Sequence, residues 1–432
     1  MVDATARRTH PTGLYFLFFT EMWERFSYYG MRALLVYYMT KQLMFSQPHA
    51  SSIYGLYTGF VYFTPLFGGI LADRWLGQRK SVILGAVLMA IGHFLMAVES
   101  LFYPALFFLI IGCGAFKPNI STQVGSLYEP GDPRRDRAFS IFYMGINLGA
   151  FFSPLICGTL GEVYGWHWGF GAAGVGMIAG LIIYLCGQKY LGPDRIMKQA
   201  AGEIARENPP LDRSDKSKIA GLLVLIFFNI VFWATYEQQG NTLALWADAN
   251  TNRVVFGREI PASWFQSLNP LLIFTLIPLI NMVWAAQARR NTEPSSVTKM
   301  AIGCILVGVS FLVMIPPSLA VTGGAKVSML WLAGCIFVLT VGEIYLSPVG
   351  LSLVTKVAPA RMVSMLMGTW LMSSFFGNYL SGYIGSYWET TSKEVFFIAL
   401  ATLAIGAGLG ILLVGKPLKR AINQGQSEGA SI

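Results

Sequence analysis

Apolar runs of roughly 20 residues recur along this chain, separated by polar connections. They fall near 12–41, 51–72, 80–98, 101–123, 137–161, 168–187, 217–247, 262–285, 297–317, 326–355, 362–388 and 395–415. About 20 apolar residues in a helix cross a bilayer core. The pattern therefore predicts an all-α membrane protein with about 12 transmembrane helices. Several runs exceed 25 residues and must tilt, kink or extend past the bilayer. The first run ends in charges, not in a small-residue cleavage site, so it reads as a span and not as a cleavable signal.

The longest polar connection, 188–216, divides the chain. The expected organisation is a six-helix bundle over 1–187, a cytoplasmic linker over 188–216, a second six-helix bundle over 217–416 and a cytoplasmic tail over 417–432. Residues 194–207 of the linker read either as a surface amphipathic helix or as solvated chain. The fourth span of each half carries a proline beside a charge: Lys117 before Pro118, and Glu343 five residues before Pro348. Proline removes a backbone hydrogen bond and crowds the preceding turn, so both spans are expected to be interrupted. Matching interrupted helices in two halves point to a transporter with its site between the halves.

Composition supports this class. The chain is 54% hydrophobic and 12% charged, against about 25% charged in a soluble domain. The net charge of +9 invites a nucleic-acid reading, but 23 of the 31 basic residues fall on one side of the predicted membrane and 5 on the other. That asymmetry is the positive-inside pattern, with both termini cytoplasmic. Five cysteines without metal-like spacing read as small buried hydrophobes, and the four histidines form no ligand cluster. No nucleophile–base set and no phosphate loop is visible, so neither an enzyme nor direct ATP drive is expected, and no cofactor.

Charges inside the spans are the strongest functional signal. Each costs roughly 2.5–3.5 kcal/mol at bilayer depth on insertion scales. They are Glu21, Glu24, Arg25, Arg32, Lys117, Glu237 and Glu343. Helical spacing puts Glu21, Arg25, Tyr28, Tyr29 and Arg32 on one stripe, with Glu24 on its shoulder. Structural ion pairs are the plain explanation, but buried pairs stabilise poorly against apolar packing. A buried carboxylate whose cationic partner moves away changes its proton affinity, which couples protonation to conformation. Tyr28, Tyr62, Asn147, Trp233, Asn269 and Trp370 are placed to line the same cavity. Arg32 and Lys117 suit a carboxylate and Glu343 an ammonium, so the expected cargo is a zwitterion.

These residues resemble the proton-coupled oligopeptide transporter (POT) family of the major facilitator superfamily. The first-helix signature E-x-x-E-R-F-x-Y-Y-G is matched by Glu21, Glu24, Arg25, Phe26, Tyr28, Tyr29 and Gly30. A second signature is matched by residues 139–151, including Asn147 and Gly149. The superfamily loop G-x-x-x-D-R-x-x-G-x-[RK] is matched from Gly69, and its Asp73 is expected to cap or pair at the neighbouring helix. The resemblance implies a major facilitator fold and symport of di- and tripeptides with protons by alternating access. It implies proton coupling by Glu21, Glu24, Arg25 and Glu237, and gate pairs Arg32–Glu237 and Lys117–Glu343. It places Arg32 and Lys117 on the peptide carboxylate, and Glu343, Asn147 and Asn269 on its amino end and backbone. Tyr28, Tyr29, Tyr62, Trp233, Trp370 and Ser374 would shape side-chain pockets. A monomer in a bacterial inner membrane is expected, with peptides, protons and lipid as its partners and no nucleic acid.

Two departures stand out. The 29-residue linker is too short for the extra membrane hairpin of many bacterial members. Where animal members carry a histidine, this chain reads Tyr54-Gly55, so the carboxylates must handle the proton. His93 reads as a satisfied core histidine and not as a relay. The alternative cargoes are another anion or zwitterion, such as nitrate, an amino acid or a drug. A retinal-type receptor built on Lys117 is disfavoured by the number of spans.

Overall fold

The computed structural model describes residues 9–129, 132, 134–192, 213–321, 325–359 and 362–427. The chain forms twelve helical rods over these residues. In the first half they are α1 (Thr12–Lys41), α2 (Gln47–Phe63) continued by α3 (Pro65–Leu71), α4 (Gln78–Leu95), α5 (Phe102–Ser126), α6 (Arg134–Ser153) and α7 (Trp166–Gly187). The second half holds α8 (Arg213–Tyr236) continued by α9 (Thr242–Ala249), α10 (Leu268–Arg289), α11 (Ser296–Leu312) continued by α12 (Ile315–Ala320), α13 (Met329–Val357), α14 (Val363–Gly385) and α15 (Lys393–Ser427). Among the described residues, nine helical stretches are long and apolar enough to cross a membrane. The remaining long helices are α1, α4 and α14; α1 misses that measure because Glu21, Glu24 and Arg25 sit mid-helix.

Two compact units are present. One comprises Met1–Tyr38 and Phe60–Ile204, the other Met39–Gly59 and Ala205–Ile432. The first part of α2 thus packs with the second unit. The possible helix at 194–207 lies outside the described residues.

Each unit is held by glycine crossings. In the first, a Cβ on Gly85 of α4 would stand 2.6 Å from the Gly112 carbonyl oxygen of α5. In the second, a Cβ on Gly303 of α11 would stand 2.7 Å from the Gly342 carbonyl oxygen of α13. Small residues let helix backbones approach where lipid supplies no hydrophobic drive between helices. The same device joins the third and fourth rods of both halves.

Four expectations are corrected. The proline-bearing spans are not interrupted, because α5 and α13 run continuously through Pro118 and Pro348. A proline removes one helical bond and crowds the preceding turn, which bends a helix without necessarily ending it. Asn119 Nδ2 donates to the Ala115 carbonyl at 2.7 Å, and Thr64 Oγ1 donates to the Ile110 carbonyl at 2.9 Å. Asp73 caps no helix among the described residues: it is exposed, and the N-cap of α4 is Gly77 at φ 79°, a conformation that favours glycine. Cys186 is exposed while the other four cysteines are buried. His93 is buried in α4, and among the described residues its Nδ1 has no hydrogen-bond partner, which departs from the satisfied histidine expected.

Short β pairings occupy the connections after α9 and before α13. Thr251–Asn252 pairs in parallel with Val327–Ser328, and Val254–Val255 pairs antiparallel with Arg258–Glu259. Phe256 and Gly257, both at positive φ, make the tight turn of the hairpin. Arg253 ties the segment together by reaching Asp248 at 3.3 Å and Glu259 at 3.0 Å.

Candidate functional site

Each unit carries its own polar cluster. In the first, α1 winds Glu21, Glu24 and Arg25 into one buried group at 2%, 0% and 4% exposure. Arg25 Nε lies 2.9 Å from Glu21 Oε1 and 2.5 Å from Glu24 Oε2. Both approaches of Nε are close but poorly directed: neither Arg25 Nε nor either Glu24 oxygen takes part in a well-formed hydrogen bond among the described residues. One guanidinium thus serves two carboxylates. A proton on either acid leaves the other paired, so this trio can hold one proton without losing its internal pairing.

Close packing places the trio. Gly149 of α6 lies so near α1 that a Cβ there would collide with the Met22 carbonyl and stand 3.1 Å from Arg25 Cβ. The glycine of the second signature is therefore a contact surface for the charged turn of α1. The Arg25 guanidinium lies 5.5 Å from the Tyr28 ring centroid, and that of Arg32 lies 5.8 Å from the Tyr29 ring. Lys117 projects from α5 with Nζ 4.1 Å from the Tyr62 ring centroid, a cation–π distance. It lies within Coulombic reach of Glu21 and Glu24. Asn147 is buried on α6, and its Nδ2 donates to the Tyr143 carbonyl at 3.0 Å.

In the second unit Glu343 of α13 is the centre. Its Oε2 accepts from the Tyr236 hydroxyl at 2.5 Å and from Asn269 Nδ2 at 2.9 Å. Asn269 Nδ2 also lies 3.0 Å from both Tyr236 Oη and Thr340 Oγ1. Glu343 and Asn269, both anticipated from sequence, are brought together. Tyr236 and Thr340 were not anticipated. Tyr236 follows Trp233 by three residues and precedes Glu237, so helical spacing was the available signal. Trp233 meets the Tyr236 ring edge-on at 5.4 Å. Glu237 is 2% exposed in the turn after α8.

Trp370 and Ser374 are buried on α14. The Trp370 ring fills the space above Gly350 of α13, where any Cβ would collide with it. The Ser374 carbonyl accepts from Asn378 Nδ2 at 2.8 Å. Asn229 of α8 donates to Ser373 at 2.5 Å and Gln238 donates to the Ser381 carbonyl at 2.9 Å, which pins the register of α8 against α14. The anticipated pairs Arg32–Glu237 and Lys117–Glu343 each take one residue from either unit.

Comparison with known proteins extends these observations. A model of the POT family matches residues 79–209 and 196–396. The chain is 36% identical to the peptide transporter YePEPT of Yersinia enterocolitica subsp. palearctica serotype O:3 (strain YE-P4), over 97% of this chain and 96% of that protein. It is 32% identical to a di-/tripeptide transporter of Lactococcus lactis subsp. cremoris, over 94% of this chain and 96% of that one. Among solved structures, the peptide transporter POT in complex with sulfate superposes with a TM-score of 0.87 at 34% identity, covering 96% of both chains.

Proposed function

The chain belongs to the POT family, and on that premise we propose that it is a proton-coupled symporter that imports di- and tripeptides by alternating access. It is a multi-pass, all-α membrane protein of the major facilitator fold. The observation that supports the reading best is the buried Glu21–Arg25–Glu24 trio with Lys117 in electrostatic reach. Such a group is poor structural cement and well suited to exchanging a proton for a change of ion partner.

In this reading external protons load Glu21 or Glu24, and Glu237, and loosen their hold on Arg25, Arg32 and Lys117. The peptide carboxylate then recruits Arg32 and Lys117. Glu343, with Asn269 and Asn147, takes the ammonium end and the peptide backbone. Tyr28, Tyr29, Tyr62, Trp233, Trp370 and Ser374 set the side-chain space. Lys117 bound to the peptide no longer holds Glu343, and the site opens inward. Proton loss to the cytoplasm resets the Arg32–Glu237 and Lys117–Glu343 pairs. The carrier works as a monomer in a bacterial inner membrane, with both termini cytoplasmic, and needs no cofactor beyond the proton gradient.

The test is dialanine uptake into proteoliposomes under an inward proton gradient. Lys117→Ala is expected to abolish concentrative uptake while exchange without a gradient survives. Full concentrative uptake by that variant would sink the scheme. Failure of dialanine to compete with transport of another labelled anion or amino acid would move the cargo to that class.

A further inference from the structure

Two helix faces of the first unit run from the proposed peptide site to a common groove. On α5, Lys117, Ser121 and Gly125 follow one another at four-residue spacing; on α6, Asn147, Tyr143, Phe139 and Arg135 do the same. Their far ends meet at a groove of about 480 Å³ lined by Ser121, Thr122, Ser126, Tyr128, Arg135 and Phe139. Gly125 leaves room for the arginine, since a Cβ there would stand 3.1 Å from Arg135 Nη2.

The two neighbouring arginines are used differently. Arg134 grips Asp132 with Nη2 at 2.6 Å and Nε at 3.1 Å and lies 5.8 Å from the Tyr128 ring centroid. Arg135 enters no ion pair among the described residues; its guanidinium stands 6.0 Å from the Phe139 ring. Among the described residues it is the one formal charge in the lining. The hydroxyls opposite have their hydrogens engaged: Ser121, Thr122 and Ser126 each donate to the carbonyl four residues earlier, at 3.2, 2.8 and 3.1 Å. They present acceptor lone pairs to the groove. One guanidinium, one aromatic ring and three hydroxyl acceptors thus share the lining of a single groove.

That arrangement complements a carboxylate joined to N–H donors by a short apolar stretch, which describes a small peptide. The phosphodiester group of a lipid would meet the guanidinium but carries no N–H of its own to offer the hydroxyls. Eight residues of α5 separate Lys117 from Gly125, about 12 Å along the axis. An extended dipeptide spans about 7 Å. We propose that the groove is a docking station on the cytoplasmic exit route, where Arg135 takes the peptide carboxylate released by Lys117 and the three hydroxyls take its N–H groups. The proposal rests on the peptide-transport reading above. Arg135 is exposed, so solvent screening keeps the contact weak, as a station that must release its cargo requires.

Oriented proteoliposomes test it by measuring KM for dialanine presented separately from the external and the cytoplasmic face. Arg135→Gln is expected to raise the cytoplasmic-face KM roughly three- to ten-fold, with a much smaller change at the external face, as loss of one screened charge-assisted hydrogen bond predicts. Arg135→Lys should restore most of the difference. Equal KM values for wild type and Arg135→Gln at the cytoplasmic face, or equal shifts at both faces, would overturn the inference. So would unchanged KM values combined with loss of a stimulation by phosphatidylglycerol vesicles, which would make the groove a lipid phosphate site. No dialanine transport by wild type would overturn the peptide reading and this inference together. Transport by wild type with no cytoplasmic-face shift would remove the inference alone.

Discussion

The Tyr236 hydroxyl points at Glu343, with 2.5 Å between the phenolic oxygen and Oε2. Asn269 closes the triangle, so three helices converge on one carboxylate oxygen. A hydrogen bond to a charged group contributes about 1.5–3 kcal/mol. Tyr236→Phe removes that donor and keeps the ring stacked on Phe232 at 5.6 Å. The expected result is a fall in kcat/KM for dialanine of about ten-fold, the equivalent of roughly 1.4 kcal/mol, with the thermal midpoint lowered by only a few degrees. Uptake kinetics beside a melting curve decide it; unaltered kinetics would remove Tyr236 from the site.

Arg25 is the sole cation in direct ion-pair contact with Glu21 and Glu24 among the described residues. Arg25→Met leaves two facing acids, 2% and 0% exposed, without that partner. Breaking a buried pair from one side costs about 3–5 kcal/mol. A clear loss of thermal stability is therefore expected. Adding Glu21→Gln and Glu24→Gln should recover much of it, because the stranded charges are gone, while gradient-driven uptake stays lost. A triple variant as unstable as the single one would show that the arginine stem stabilises by packing and not by charge.

Two glycine substitutions should move stability in opposite directions. A Cβ on Gly55 would lie 2.6 Å from Gly382 Cα and 2.8 Å from the Asn378 carbonyl oxygen, all backbone that cannot yield cheaply. Gly55→Ala is expected to destabilise by about 1–3 kcal/mol through overpacking. Gly171, in the helix interior of α7, has nothing within 4 Å of its Cβ position. Gly171→Ala is expected to stabilise by about 0.5–1 kcal/mol through reduced backbone freedom. Melting curves of the two variants in the same detergent check both signs.

The rods were legible because lipid forbids unpaired backbone and so forces apolar runs into helices. The first run, read as 12–41, forms a helix over Thr12–Lys41. The charged trio was legible because charge inside such a run has few innocent explanations. Tyr236 and Thr340 were not, since tyrosine and threonine in apolar spans are ordinary and only the fold brings them to Glu343. The unbroken course of α5 and α13 was equally hidden. Proline signals a lost bond, but it does not say that the helix stops there, and the Thr64 bond to the Ile110 carbonyl depends on which helix lies opposite.

His93 separates a structural from a proton-handling role within α4. It is 1% exposed, and its Nδ1 has no hydrogen-bond partner among the described residues. An unsatisfied buried polar atom costs about 1–3 kcal/mol, and an apolar side chain of similar size removes that penalty. His93→Leu is therefore expected to hold or raise the thermal midpoint and to leave dialanine uptake and its pH profile in place. A relay would behave differently, because driven uptake would collapse while exchange without a gradient continued. Measuring both transport modes on the one variant distinguishes the two roles, and a collapse confined to the driven mode would add His93 to the residues that carry the proton.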